Sequence, residues 1–147
     1  MQLNQERRET FENEKEYINY LETQSKLPLG FSVGTSKLEF VPEEAKEMGL
    51  LPMTVTLIKA DEPTSSFAAV FTQNKFPGGP IYIGRRRLSS SKSLQCIIVN
   101  NKISNVCPGG IKDSGVGDSE TICESLANSL KIETEMIIPS STGVIGW

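Results

Sequence analysis

Apolar residues recur along the chain in two rhythms. Over residues 4–24, Phe11, Ile18 and Leu21 fall near one face at helical spacing, with Tyr17 and Leu21 four apart, in a stretch otherwise rich in Glu, Gln, Asn and Arg. A 3.6-residue period puts such positions on one side of a helix, so the stretch predicts an N-terminal amphipathic helix. Leu27-Pro28-Leu29-Gly30 ends it, because proline and glycine interrupt helical backbone. Beyond that point the period shortens towards two. Phe31–Val41 reads as short extended pieces broken at Gly34, and Pro42–Gly49 as a helical turn or a loop. Met53–Ile58 predicts a half-buried strand, and the more continuous apolar run Ser66–Thr72 a central one. Asp61-Glu62-Pro63 predicts the turn between them, and Phe76–Pro80 another turn. Ile81–Ile83 reads as a strand ending in Arg85-Arg86-Arg87, and Leu94–Val99 as a buried strand. A helix is predicted from an N-cap at Asp118 to Leu130, with Ile122, Leu126 and Leu130 as its core stripe. Met136–Ile138 predicts a last short strand. Several strands early and one strong helix late predict an α+β class, with a helical arm at 1–26 and a domain at 27–147.

Composition narrows the chemistry. At 147 residues, 37% hydrophobic and 22% charged, the chain reads as one soluble globular domain. Its net charge of −3 and pI near 5.1 argue against a nucleic-acid binder, which needs a basic face against phosphate. No apolar run is long enough to cross a membrane, and Met1–Glu16 has no apolar core of a secretion signal. A cytoplasmic protein is therefore expected. The histidine count is 0, which excludes Ser-His-Asp and Cys-His catalysis and His-ligated metal within this chain. Cys96, Cys107 and Cys123 show no C-x-x-C spacing and are odd in number, so reduced thiols are expected and neither a disulfide framework nor a metal site.

Four segments carry polar residues that invite a chemical reading. The glycines from Gly109 to Gly117 precede a helix but match neither phosphate-binding spacing, so they read as a loop. Arg85, Arg86 and Arg87 suggest an anion clamp, yet on a strand alternate side chains point to opposite faces, so the triplet reads as an exposed strand end. Asp61 and Glu62, being adjacent, do not make an acid–base pair. Ser141-Thr142-Gly143 is a different case, because small residues let the backbone turn sharply and present N–H groups. A backbone N–H beside the Thr142 hydroxyl would suit an oxyanion of acyl transfer. The plainer alternative is a glycine turn joining two strands.

Several segments together resemble the bifunctional ornithine acetyltransferase / glutamate N-acetyltransferase family of arginine biosynthesis. Leu29-Gly30-Phe31 resembles its opening Gly-Phe, and Ser66–Asn74 (SFAAVFTQN) its "VFT-x-N" segment, with Pro80 following. Ile97-Ile98-Val99-Asn100 resembles the strand leading into its Asn-rich loop, and Ser141–Gly146 reproduces its "STGVIG" signature. The family loop Asn-Ser-Gly-Asn-Ala-Asn-Ala is here Asn100-Asn101-Lys102-Ile103-Ser104-Asn105-Val106, with Lys102 at the glycine and a bulky Ile103 after it. The resemblance implies a layered αββα sandwich, of which this chain is the N-terminal portion. It also implies a precursor that cleaves itself before a threonine, which becomes the nucleophile. That threonine carries acetyl from N-acetylornithine to glutamate; some members also take acetyl-CoA as co-substrate, and no cofactor is implied. Thr142 and Gly143 match the oxyanion-hole pair. The Ala-Thr junction and the nucleophile lie beyond Trp147 in the family, so the complementary C-terminal (β) chain is the implied partner and the isolated chain is expected to be inactive. Two other readings are a non-catalytic remnant or regulatory partner of a full-length enzyme, and half of a related self-cleaving amidase or aminopeptidase, against which the "STGVIG" wording argues. Val144, Ile145 and Trp147 are expected to form an unpaired apolar edge that lowers solubility.

Overall fold

A computed structural model describes residues 10–110 and 114–147. The elements run in the order α1 (Glu14–Gln24), β1 (Phe31–Phe40), β2 (Leu51–Thr64), α2 (Gly79–Ser90), β3 (Leu94–Asn100), α3 (Val116–Leu130) and β4 (Ile137–Ser141), with a 3-10 turn at Glu43–Met48. The strands form one sheet in the order β1-β2-β3-β4. The first two pairings are antiparallel and β3–β4 is parallel, with α3 as the crossover that a parallel pair requires. The α+β class is as the sequence predicts. Among the described residues its layering is a single four-stranded sheet covered by α3 on one face.

The predicted N-terminal helix is shorter than the 4–24 stretch. Asn13 sets its start by accepting from Glu16 N at 3.0 Å, and Glu14 and Glu16 lie in the first turn, where carboxylates favour the helix dipole. The first nine residues lie outside the described ones. No α1 residue is buried; Phe11, just before the helix, packs back against its Tyr17 and Tyr20, ring centroids 5.2 and 5.1 Å away.

Four expectations change in the sheet and in α2. Gly34 does not break β1: the strand pairs with β2 from Phe31↔Ala60 to Phe40↔Leu51, and the continuous ladder carries the glycine through. Asp61-Glu62-Pro63 is not a turn but the tail of β2, where the register to β3 shifts between Lys59 and Thr64. Proline is tolerated there because a bulge leaves no N–H to satisfy. Ser66–Thr72 is irregular rather than a central strand, with Val70 98% exposed. Its neighbourhood closes in side-chain turns instead, Ser66 N donating to Thr64 Oγ1 at 3.1 Å and Asn74 N to Thr72 Oγ1 at 3.2 Å. Ile81–Arg87 is helical, not a strand: Ile83 and Arg87, four apart, are both buried, and Pro80 sits in the first turn. The close approach of this helix to α3 needs Gly79, where a Cβ would collide with the Gly115 carbonyl.

α3 begins earlier than Asp118, at Val116 after Gly115 in the left-handed region (φ 69), and Asp118 lies in its first turn. Its buried stripe is Ser119, Cys123 and Ala127, one position round from the predicted Ile122, Leu126 and Leu130. Small side chains let the helix lie close on the sheet. Leu126 and Leu130 flank the contact, and Ile122 is exposed. The core thus joins Cys96, Ile98 and Ile137 of the sheet to Cys123 and Ala127 of α3. On the opposite sheet face, cross-strand partners Val33, Ile58, Ile97 and Ile138 line up, with Val33 and Ile97 exposed.

The arginine triplet serves packing rather than an exposed strand end. Arg87 has no exposed surface; its guanidinium donates to the Ile137 carbonyl and to Glu120, and its Nε lies 3.4 Å from Glu135 Oε2. Arg86 also pairs with Glu120, and Arg85 Nη2 donates to the Thr72 carbonyl at 2.5 Å. The three cysteines are free thiols, and burial pushes the Cys96 and Cys123 thiols up from their ordinary range, against the pull of Lys59 and Arg87 respectively.

Candidate functional site

The parallel pairing of β3 and β4 runs from Cys96↔Ile137 to Asn100↔Ser141, and the two chains stay together past its end. Thr142 N donates to the Asn100 carbonyl at 3.1 Å, Val144 N to Lys102 at 2.9 Å, and Gly146 N to Val106 at 2.9 Å. Ser104 N donates back to the Val144 carbonyl at 3.3 Å, and Ile103 and Val144 form a further parallel bridge. The expected Asn-rich loop and the Ser141–Gly146 segment are therefore one seam.

Side chains lock it. Ser141 Oγ donates to the Ser104 carbonyl at 2.5 Å and Ser104 Oγ to the Val144 carbonyl at 2.8 Å. Asn100 Nδ2 donates to the Ile103 carbonyl at 2.7 Å. Asn101 Oδ1 accepts from Thr54 N at 2.8 Å and so ties the seam to β2. Gly79 N donates to the Asn105 carbonyl at 2.9 Å and ties it to α2. These roles are not readable from a count of asparagines, because each depends on which backbone group is left over at the end of the sheet.

Gly143 is required by space as well as by backbone. Its φ is 150, and a Cβ there would collide with the Lys102 carbonyl and stand 2.5 Å from Ile103 N. Lys102 itself holds φ 74, the left-handed region.

Thr142, Val144 and Gly146 point into the seam. Gly143 N–H has no acceptor among the described residues, and the same holds for the Thr142 hydroxyl. Both residues are exposed. The two residues thus carry donors that are neighbours in sequence and unengaged among the described residues. The expected apolar edge is partly covered instead: Val144 pairs with Ile103, and Trp147 stacks edge-on against Phe40 at 6.2 Å, while Ile145 stays exposed.

Other features add little chemistry. An apolar hollow of about 250 Å³ lies on the α3 side of the sheet, lined by Leu38, Met53, Val55, Ile98 and Ile122. Asn100, which borders it, already has a partner. Among the described residues no cluster of Cys, Asp and Glu could hold a metal ion, and no helix is long and apolar enough to cross a membrane. Of the Gly109–Gly117 loop, residues 111–113 lie outside the described ones.

A family model described as the ArgJ family matches residues 44–147. The arginine biosynthesis bifunctional protein ArgJ of Bacillus subtilis is 41% identical over 90 residues, which cover 61% of this chain and 21% of that protein. The chain therefore spans about a fifth of that relative's length. A crystal structure of the arginine biosynthesis bifunctional protein ArgJ of Bacillus halodurans matches with a TM-score of 0.57 at 26% identity, over 80% of this chain and 63% of that one. The ornithine acetyltransferase of Mycobacterium tuberculosis, solved in complex with ornithine, shares the fold with a TM-score of 0.60 at 23% identity, over 82% of this chain and 59% of that one.

Proposed function

Because this chain belongs to the ArgJ family, we propose that it is part of a glutamate N-acetyltransferase / ornithine acetyltransferase of arginine biosynthesis, to which it supplies the oxyanion hole through Thr142 and Gly143. The observation that carries this reading is that Gly143 N–H and the Thr142 hydroxyl, neighbours in sequence on a backbone held by the seam, have no acceptor among the described residues.

On this reading the acetyl carbonyl oxygen of N-acetylornithine accepts from both donors. When a nucleophilic hydroxyl adds to the carbonyl carbon, the π pair moves onto that oxygen, and the two bonds strengthen because they become charge-assisted. Collapse breaks the C–N bond, ornithine's amine leaves with a proton, and an acetyl ester remains. Attack by the glutamate amine repeats the sequence through the same hole, breaks the C–O bond and returns the proton to the hydroxyl. A threonine whose own terminal amine serves as base fits a chain with no histidine. That nucleophile comes from a complementary β chain, and acetyl-CoA serves as an alternative donor. Residues 27–147 form the acetyltransferase portion, with 1–26 as an arm beside it. The free thiols accord with a reducing compartment, the cytoplasm.

The test is Thr142→Ala in the complete protein in which this chain occurs. Loss of one oxyanion donor is expected to lower kcat for acetyl transfer by about 10²–10³ with little change in KM. An unchanged kcat would overturn the assignment. Binding of a complementary chain with no acetyl transfer would favour the regulatory-partner reading instead.

A further inference from the structure

We propose that Ser104 is a positioning residue of this site, a clamp that holds the backbone on both sides of Thr142 and Gly143 and so fixes where their donors point. The proposal rests on the reading of those two residues as oxyanion donors. Ser141 Oγ donates to the Ser104 carbonyl at 2.5 Å, and this tie holds the residue before the pair. Ser104 Oγ donates to the Val144 carbonyl at 2.8 Å, and this tie holds the residue after it. The same serine therefore closes over the segment from both ends. Between the ties, Gly143 lies against the Lys102–Ile103 peptide with no room for a Cβ.

The hydroxyl strengthens a point that the backbone leaves weak. Ser104 N also donates to the Val144 carbonyl, but at 3.3 Å, which is long for an amide bond. Ser104 follows Lys102 (φ 74) and precedes Asn105 (φ 53), both in the left-handed region, so the loop has left the regular ladder that pairs Cys96–Asn100 with Ile137–Ser141. In such a loop a serine hydroxyl takes over from a ladder bond. The same bonds separate Ser104 from a substrate contact. Its amide and hydroxyl protons are both directed at Val144, and its carbonyl takes the Ser141 hydroxyl. What it can do is keep the Thr142–Gly143 backbone from turning. Donors held in place stabilise a developing oxyanion without reorganising, and a looser backbone loses that advantage in the transition state more than it loses affinity for the neutral carbonyl.

The test compares Ser104→Ala, Ser104→Thr and Ser141→Ala in the complete protein. Acetyl transfer from N-acetylornithine to glutamate is the assay, with Thr142→Ala as reference. Ser104→Ala is expected to lower kcat about tenfold while KM stays within about twofold, the signature of donors displaced rather than of a lost substrate contact. Ser141→Ala opens the clamp from its other end and is expected to show the same split, so a folding failure of one variant cannot decide the matter. Ser104→Thr keeps the hydroxyl and is expected to hold kcat within about twofold of wild type. In Thr142→Ala the further change Ser104→Ala is expected to cost less than it does alone, because one of the donors it positions is already gone. A merely structural serine would lower the denaturant midpoint and leave kcat per folded molecule unchanged. That result, with Thr142→Ala still collapsing kcat, overturns the proposal and leaves the donors standing. Equal losses from Ser104→Ala with and without Thr142 overturn it too, since the serine then acts elsewhere. So does a raised KM at constant kcat, which marks a substrate contact. If Thr142→Ala has no effect, the reading of the donors fails and this proposal falls with it.

Discussion

The two segments that most strongly resemble the family's signature fold very differently. Ser141–Gly146 is tied to residues 100–106 by backbone bonds on alternate residues and by hydroxyls that close the gaps. Ser66–Asn74 is the more apolar of the two, yet it forms no strand, and Val70 is almost fully exposed. It is tied to α2 by the bond from Arg85 to the Thr72 carbonyl and by the Phe71 ring, which packs against Gly84. The difference lies in the partner each backbone finds. A segment that continues a parallel pair inherits a register and finds an acceptor for every second N–H. A segment that leaves a strand through a bulge inherits none and satisfies its backbone from its own hydroxyls. α2 links the two regions, because Arg85 holds the loose one while Arg87, two residues on, grips the Ile137 carbonyl at the start of β4.

The largest effect is expected at the tightest point of the seam. Gly143→Ala places a methyl group against the Lys102 carbonyl and imposes a Cβ on a φ of 150. A clash with backbone cannot be relieved by a rotamer change, so the seam must part. The expected loss is about 3 kcal/mol, seen as a lower denaturant midpoint at unchanged slope. Thermal and denaturant curves that coincide with wild type would mean that the seam is not rigid, and the argument for preorganised donors would weaken with it.

Glu120→Gln tests the support beneath the seam. It leaves a guanidinium with no exposed surface facing a neutral amide, with Glu135 3.4 Å from Nε as its remaining carboxylate. Breaking a fully buried pair costs about 3–5 kcal/mol, but Glu120 is 21% exposed and Gln still accepts a hydrogen bond, so about 2 kcal/mol is expected. Hydrogen exchange should rise in β4 and α3 before it rises in β1. A uniform rise would show that the Arg87 knot stabilises the whole sheet rather than this side of it.

The same contrast explains what was legible in the sequence. Met53–Ile58 and Leu94–Val99 lie within strands as predicted, because their partners enforce the period written in them. Thr142 and Gly143 were legible as candidates because small residues beside a glycine point to a turn, and the structure adds which of their donors stay unengaged. Ile81–Arg87 was misread as a strand because three apolar positions fit either period; burial of Ile83 and Arg87 four apart decides it, and a buried arginine is invisible to an apolar pattern. The stripe of α3 was misplaced by one position for the opposite reason. Hydrophobicity points to Ile122, Leu126 and Leu130, but close packing on the sheet selects Ser119, Cys123 and Ala127. The left-handed backbone of Lys102 (φ 74) is not legible in the sequence, because it belongs to a loop whose carbonyl at Lys102 meets Val144 N across the seam.

Arg85→Ala carries the smallest expected effect and is the most discriminating. It removes one exposed hydrogen bond to the Thr72 carbonyl and touches neither the seam nor the Arg87 knot. An exposed bond of this kind contributes about 0.5–1 kcal/mol, so the unfolding midpoint should barely move. Residues 66–74 should nonetheless become a preferred site of limited proteolysis, because the packing of Phe71 against Gly84 is then left to tie the segment to α2. A seam that is independent of this segment predicts that Thr142 and Gly143 keep their amide chemical shifts in the variant. Shifts that move at Gly143 would show that the two signature segments are coupled through α2, and that the loose one helps to position the donors at a distance.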